Sequence, residues 1–269
     1  MKRIDKIKTV VVMSLVLLAV STAIISVDAH MPGAKPLPEY ELAPISIYDG
    51  DTLLEISIED VGKYHGAICG CGACAFRASQ LGISEIWGEE IPARDDIQII
   101  SRLATLGSKD CFRYITGTGA GIETKTEGEY KIILPDGTEV MDLSQSNLKK
   151  IAKDNTRDNF RFDICRKSTG DCYEVAVKEG VFPEGYFELR KKVKFSVPAE
   201  ATAAEKKTFK SKWADTRDKF LLQPDQELFV GVKKPASASA PAPKEPGFEV
   251  VFTIAGILAV AYMAHRRNR

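Results

Sequence analysis

The chain has 269 residues, and its 37 basic and 37 acidic side chains cancel in formal charge. Because both signs are interspersed, the composition argues against a general surface for nucleic acid or for an acidic polymer. With both apolar ends set aside, about 200 residues remain, which suits one domain with its own core.

The first 29 residues are predicted to be an export signal. Four basic residues open it, at Lys2, Arg3, Lys6 and Lys8. Residues 9–26 are almost continuously apolar. Val27 and Ala29 then fit the small-residue positions that precede a signal-peptide cleavage site. This apolar run is also near the lower limit for a membrane span, so an uncleaved N-terminal anchor is the alternative. Both interpretations place the body of the chain outside the cell.

The first half of the body is predicted to alternate strands and helices. In chain order these are strand 53–58, helix 69–81, strand 96–101 and helix 109–115. Gly82 is expected to end the first helix. The glycine-rich residues 116–121 lack the Gly-Lys-Ser/Thr ending of a phosphate-binding loop, so they predict a tight turn.

The second half is predicted to be mainly strands. They are residues 130–134, 138–143, a hairpin around residues 160–177, residues 189–197 and residues 228–232. Residues 200–222 form an amphipathic helix whose aromatic residues Phe209, Trp213 and Phe220 approximate one packing face. We therefore predict an α+β domain over residues 30–234, with a mixed or antiparallel sheet and packed helices.

The six cysteines divide into two groups. Cys165 and Cys172 flank a Lys-Ser-Thr-Gly turn between alternating apolar residues, which is typical of a hairpin. If Arg166 lies opposite Asp171, the two cysteines face each other closely enough for a disulfide. We predict that disulfide, and a pair of buried thiols is the alternative.

The second group surrounds His65, the single histidine between the two apolar ends. Cys69 follows it by four residues, Cys71 and Cys74 share one helical face, and Cys111 lies in the next predicted helix. A cysteine in the first turn of a helix meets unpaired N–H groups, which favour its thiolate. With His65 the three nearby cysteines have the composition of a structural Cys₃His zinc site, although their spacing is unusually tight.

Structural roles compete with this site. His65 could be a core histidine bonded to backbone, and Cys71 and Cys74 could be small buried apolar residues. Asp110 could cap a helix or belong to a turn. For Cys111 three roles are left open: a metal ligand, a disulfide partner and a residue that only packs in the core. We expect a functional site, because all of these residues would otherwise need to have purely structural roles at the same time.

Two motifs resemble the FmdE-like family, which is named for one of the subunits of formylmethanofuran dehydrogenase. One is His65-Gly66-x-x-Cys69 followed by Phe76-Arg77, and the other is Asp110 followed by Thr116-Gly117. The resemblance covers roughly residues 58–188 and implies an α+β domain with a metal pocket formed by His65, Cys69 and Asp110. Family members can associate as dimers, but no apolar seam in this sequence decides the matter. Ala67 stands where the family commonly has a second histidine, so an inherited ligand set would be modified.

The C-terminal end carries a second resemblance. Residues 235–247, rich in Pro, Ala and Ser, are expected to form an extended stalk. Pro246-Gly247-Phe248 then leads into an apolar stretch and the basic end His265-Arg-Arg-Asn-Arg269. This order resembles the archaeal PGF-type sorting signal, which implies processing by an archaeosortase and a lipid anchor. A plain transmembrane helix over residues 248–269 is the alternative.

These features predict an archaeal cell-surface protein with a metal- and thiol-bearing pocket for a small extracellular ligand. His65, Cys69 and Asp110 are the predicted catalytic or ligating residues, and Cys71, Cys74 and Cys111 are further candidate ligands. Zinc is the expected metal, and an iron–sulfur cluster is less expected in an exported protein. No Ser/His/Asp set is recognisable, so the sequence makes no case for a hydrolase. A non-catalytic module for a metal, a metal cofactor or a haem-like ligand and a thiol–disulfide exchange protein are the alternatives.

Overall fold

In the computed structural model of this protein the described residues are Met31, 34–196 and 200–234. The predicted signal at residues 1–29, the stalk at 235–247 and the segment 248–269 lie outside them. Within the described part of the chain, no helix combines the length and apolarity needed to cross a membrane.

Strands and helices are interleaved along the described residues. In chain order they are β1 (Ile45–Asp49), β2 (Thr52–Ile56), α1 (Ile58–His65), α2 (Gly70–Trp87), β3 (Ile97–Ser101), α3 (Leu106–Thr116), β4 (Glu129–Ile132), α4 (Gln145–Ala152), β5 (Arg161–Arg166), β6 (Cys172–Val177), α5 (Tyr186–Phe195), α6 (Ala203–Leu222), α7 (Asp225–Leu228) and β7 (Phe229–Lys234).

The main sheet has five strands in the order β4-β3-β5-β6-β7. β3 and β4 are parallel, and the other neighbours are antiparallel. β1 and β2 form a separate antiparallel pair. The fold is therefore α+β with a mixed sheet and packed helices, which confirms the predicted class.

The central helix α2 is longer than predicted, because Gly82 does not end it. The helix continues to Trp87, and Gly82 lies where it meets β5. A Cβ at position 82 would come within 2.3 Å of Ile164 Cγ1, so glycine permits this close helix–sheet contact. Gly82 is thus a packing requirement and not a helix stop.

The predicted strand at residues 189–197 is wrong. Tyr186–Phe195 is the helix α5, which begins after Gly185 in the left-handed conformation and packs against α6. The run Glu188-Leu-Arg-Lys-Lys192 is made of good helix formers, and their propensity outweighs the apparent alternation around Val193.

The predicted strand at residues 138–143 is also absent from the described structure. A single bridge pairs Ile133 with Glu139, and the Val140 N–H donates to the Ile132 carbonyl at 2.9 Å. The chain then enters α4, which the sequence did not predict and which Ser144 caps. The Pro-Asp-Gly turn therefore leads to one bridge instead of a full hairpin.

A fully buried arginine fixes the end of α3. Arg94 donates from Nε to the Ile115 carbonyl at 3.2 Å and from a terminal nitrogen to Asp49 at 3.0 Å. Asp49 also accepts from the backbone N–H groups of Lys125 and Thr126. A buried ion pair whose remaining oxygens are hydrogen-bonded is costly to break, because each removal leaves an unpaired charge. This pair ties β1 and the loop after α3 to the helix that carries Asp110.

The predicted hairpin disulfide is present. Cys165 and Cys172 are directly opposed in the β5–β6 register and joined, with a Cα–Cα distance of 4.0 Å. As predicted, Arg166 is opposite Asp171, and its N–H donates to the Asp171 carbonyl at 2.8 Å. The bond closes the turn of the two central antiparallel strands.

We expect the paired change Cys165→Ser with Cys172→Ser to lower the free energy of unfolding by about 2 to 3 kcal/mol, because a short closed loop no longer restricts the unfolded chain. Urea unfolding under oxidising conditions measures this. Reducing the wild type should produce the same loss, and equal midpoints for oxidised wild type and variant would contradict the prediction.

Candidate functional site

A short reversal between two helices brings His65 and Cys69 together. His65 is the last residue of α1, and Gly66 follows with a φ of 96°, which ends the helix in the left-handed conformation. Cys69 then caps the N-terminus of α2. The four-residue spacing noted in the sequence is therefore a turn between helices, and it places an imidazole beside a helix N-terminus.

The Cys69 sulfur is held by backbone donors. The Gly72 N–H donates to Sγ at 3.3 Å, and the Cys71 N–H also interacts with it. Cys69 is 7% exposed. These N–H groups belong to the positive end of the α2 dipole, where a thiolate is stabilised.

Gly107 makes room for this sulfur. A Cβ at position 107 would lie 2.4 Å from Cys69 Sγ and 3.2 Å from the Gly72 nitrogen. At Gly72 itself, a Cβ would meet Sγ at 3.5 Å, an ordinary van der Waals distance. The first turn of α3 thus approaches α2 as closely as the cysteine permits.

Asp110 orients the histidine from α3. His65 Nδ1 and Asp110 Oδ2 are 2.6 Å apart, and the His65 side chain is only 5% exposed. The other Asp110 oxygen pairs with Lys109 Nζ at 2.9 Å. The His65 ring also hydrogen-bonds with the Cys69 thiol. The three residues form one connected chain, Asp110–His65–Cys69, which we call the triad.

The triad favours a charged pair. Burial opposes protonation of His65, but the hydrogen bonds with Asp110 and Cys69 outweigh it and raise the His65 pKa to about 9. Burial also opposes ionisation of Cys69, but the His65 hydrogen bond and charge, with the backbone donors, lower the pKa of the thiol. The two shifts favour an imidazolium beside a thiolate.

The other three free cysteines differ from Cys69. Burial and the neighbouring Cys69 charge raise the pKa of Cys71 to about 11. Cys74 and Cys111 are fully buried in the core, and burial raises their pKa values well above the ordinary value. Cys69 is therefore the thiol with the chemistry of a nucleophile.

The Asp110 carboxylate is paired with His65 Nδ1 and Lys109 Nζ. Among the described residues, no group of three or more His, Cys, Asp or Glu side chains is placed to hold a metal ion. This geometry does not fit the three-ligand set that the FmdE resemblance implies. Metal binding by His65, Cys69, Cys71, Cys74 or Cys111 stays a prediction.

The triad opens into a cavity of about 460 Å³. Its floor includes His65, Cys69 and Cys71, and α4, α5 and α6 supply its walls. Three wall residues are cationic: Lys149, Arg190 and Lys194. A cavity of this size suits a small organic ligand. The sequence analysis missed these cations, although the four-residue spacing of Arg190 and Lys194 would have placed them on one helical face.

Comparison with known proteins identifies the C-terminal end. Residues 245–267 match the PGF-CTERM motif. The chain therefore carries the C-terminal signal for archaeal cell-surface anchoring, which is processed by an archaeosortase. No curated protein matches the chain. These comparisons provide no evidence for the FmdE-like domain, which stays a prediction.

We expect His65→Ala to slow alkylation of Cys69 at neutral pH by about tenfold or more. Without the imidazolium, burial raises the Cys69 pKa, so the thiolate fraction falls. Site-resolved mass spectrometry with iodoacetamide across pH measures the rate. The variant's rate should climb as pH rises toward the new pKa, whereas identical pH profiles in both proteins would contradict the assignment.

A pair of glycine variants tests the packing around the sulfur. Gly107→Ala should displace Cys69 Sγ, cost about 1 to 3 kcal/mol of stability and reduce alkylation, because its Cβ overlaps the sulfur. Gly72→Ala is the matched control, since its Cβ fits at van der Waals distance. Thermal unfolding and the alkylation rate should separate the two variants, and equal behaviour would show that Gly107 is not needed for space.

Proposed function

We propose that this surface-anchored protein is a thiol enzyme that hydrolyses an acyl bond of a small extracellular compound, with Cys69 as nucleophile. The PGF-CTERM match establishes surface anchoring, and the reaction is the proposal. The observation that carries it is the triad, in which a carboxylate, an imidazole and a helix-capping thiol are connected in series at the floor of a cavity.

Each member of the triad has the role that its geometry supports. Cys69 is a thiol with a lowered pKa, bonded to a base. His65 is that base, and Asp110 fixes its ring through Nδ1. A nucleophile, a base and a group that orients the base are the usual parts of covalent acyl transfer.

The reaction begins with the Cys69 thiolate attacking the acyl carbon, which forms a C–S bond. The bond to the leaving group breaks, and that group takes a proton from the His65 imidazolium. Neutral His65 then accepts a proton from a water molecule while the oxygen of that water attacks the thioester. The C–S bond breaks, the product leaves as a carboxylic acid, and the imidazolium–thiolate pair is restored.

The proposed reaction departs from the sequence interpretation, which made no case for a hydrolase. That interpretation considered only a Ser/His/Asp triad, whereas in the triad described here a cysteine takes the place of the serine. Its carboxylate is also 45 residues from the histidine in sequence. Such sets are recognised by geometry and roles, not by sequence position.

Acylation by an activated ester tests the proposal. We expect 4-nitrophenyl acetate to release nitrophenolate with a burst and to leave an acetyl group on Cys69, detected by peptide mass spectrometry. Cys69→Ala should abolish the adduct, and Asp110→Asn should reduce the rate by about tenfold or more, because the His65 ring loses its charged partner. Cys74→Ala is the control, since this core thiol does not line the cavity. Acetylation that is unchanged in Cys69→Ala would overturn the proposal.

Metal capture is the second candidate function. A carboxylate bonded to one histidine nitrogen is the arrangement that commonly supports a histidine ligand, which favours zinc at His65 and Cys69. Metal analysis of anaerobically purified protein distinguishes the candidates. About one metal per chain, lost in both His65→Ala and Cys69→Ala, with no acyl adduct, would replace the enzyme proposal by metal capture. A thiol–disulfide exchanger would instead show Cys69 in a mixed or internal disulfide after mild oxidation.

A further inference from the structure

The walls of the cavity carry charge of one sign. Lys149 on α4 and Arg190 and Lys194 on α5 line it, and no Asp or Glu appears among the described lining residues. Burial lowers the pKa of Lys194, the charges of Cys71 and Cys69 oppose this shift, and the charges of Arg190 and Lys149 add to it. The three cations are thus close enough to repel one another. Such a cluster is costly unless an anion occupies it.

The same helix shows that this clustering is specific to the cavity side of α5. Lys191 pairs with Asp154 at 2.7 Å, and Lys192 pairs with Glu205 at 2.6 Å. Among the described residues, neither Arg190 nor Lys194 forms an ion pair. Arg190 donates to the Ala152 carbonyl at 2.8 Å and lies over the Phe195 ring at 4.8 Å. These contacts hold the guanidinium at the wall without a carboxylate partner among the described residues.

Aromatic groups provide the remaining wall. Tyr186, Phe195, Phe209 and Trp213 line the cavity from α5 and α6. An apolar body can pack against these rings while a charged end meets the cations. Cys69 opens into the same cavity, so one small molecule can meet the thiol and the cations together.

We infer that the acyl substrate of this site is a small carboxylate-bearing compound with an apolar body, whose carboxylate is held by Arg190, Lys194 and Lys149. The inference rests on the proposed function and adds its substrate class. The guanidinium offers paired N–H donors that match a carboxylate, and the two ammonium groups add charge. The carboxylate binds at the α4–α5 wall, and the scissile carbonyl lies at Cys69.

The cations have an alternative role, which is to stabilise the Cys69 thiolate. The His65 hydrogen bond and charge and the N–H groups of Gly72 and Cys71 already lower the pKa of Cys69. Lys194 interacts electrostatically with both Cys69 and Cys71, and Arg190 with Cys71, so these cations also favour a thiolate. Substrate binding is the additional role that we assign to them, because both line the cavity and neither has a carboxylate partner among the described residues.

Two matched probes test the substrate class on the full chain. One is the mono(4-nitrophenyl) ester of trans-cyclohexane-1,4-dicarboxylic acid, whose ring holds the carboxylate away from the ester. The other is the methyl ester of the same compound, which has no charge. We expect the wild type to prefer the charged probe by about tenfold or more in kcat/KM. Lys194→Gln and Arg190→Gln should reduce that preference toward unity by lowering kcat/KM for the charged probe.

Lys191→Gln is the control, because it removes a cation from the same helix at an exposed ion pair outside the cavity. It should keep the preference of the wild type. Lys194→Glu should reverse the preference toward the neutral probe. If Arg190→Gln fails to fold, Lys194→Gln still decides the outcome, since Lys194 is an exposed residue at the rim of the cavity.

Binding to Cys69→Ala separates the two proposals. Trp213 lines the cavity, so its fluorescence reports occupancy without turnover. Tighter binding of the charged probe by this variant, with no acyl adduct in the wild type, would support the carboxylate site and overturn the acyl chemistry. Equal acylation by both probes, unchanged in Lys194→Gln, would overturn the substrate class and leave the chemistry standing.

Discussion

The geometry of the candidate site depends on one short hydrogen bond between His65 and Asp110. It connects the end of α1 to α3 across 45 residues and leaves the imidazole bonded to Cys69 as well. Without the carboxylate, burial would favour a neutral ring, and the buried sulfur would have little reason to ionise. The same bond therefore sets the geometry of the site and the charge on both of its reactive groups.

Small residues make that bond and its surroundings sterically feasible. Gly66 turns the chain out of α1, and Gly107 allows α3 to pass beside the Cys69 sulfur. Gly82 does the same for α2 against the sheet at Ile164. Each lies where a Cβ or an ordinary backbone conformation would separate two elements. Gly66 and Gly107 together are thus the condition for packing the Cys69 thiol between α1, α2 and α3.

The sequence predicted the local features of the molecule better than its long-range ones. The Cys165–Cys172 hairpin and the helix opening near Cys69 depend on spacing within a few residues, and both are present. The path of residues 189–197 and the continuation past Gly82 depend on partners distant in sequence, and both predictions were wrong. His65, Cys69 and Asp110 were predicted as one site, and the structure connects them by hydrogen bonds, whereas their roles stay a prediction.

The charge balance of the whole chain hides the character of its cavity. Basic and acidic residues are equal in number in the whole chain, and some cations are paired, as Lys234 is with Asp163 and Glu174 at 2.6 Å. Residues 31–234 have 29 basic and 33 acidic side chains, and such a net negative domain does not attract anions over long distances, so the proposed selection of an anion depends on short-range contacts inside the cavity. Partly enclosed charges are screened less by salt than exposed ones. The proposed preference for an anion would therefore depend less on external salt because its cations line a cavity.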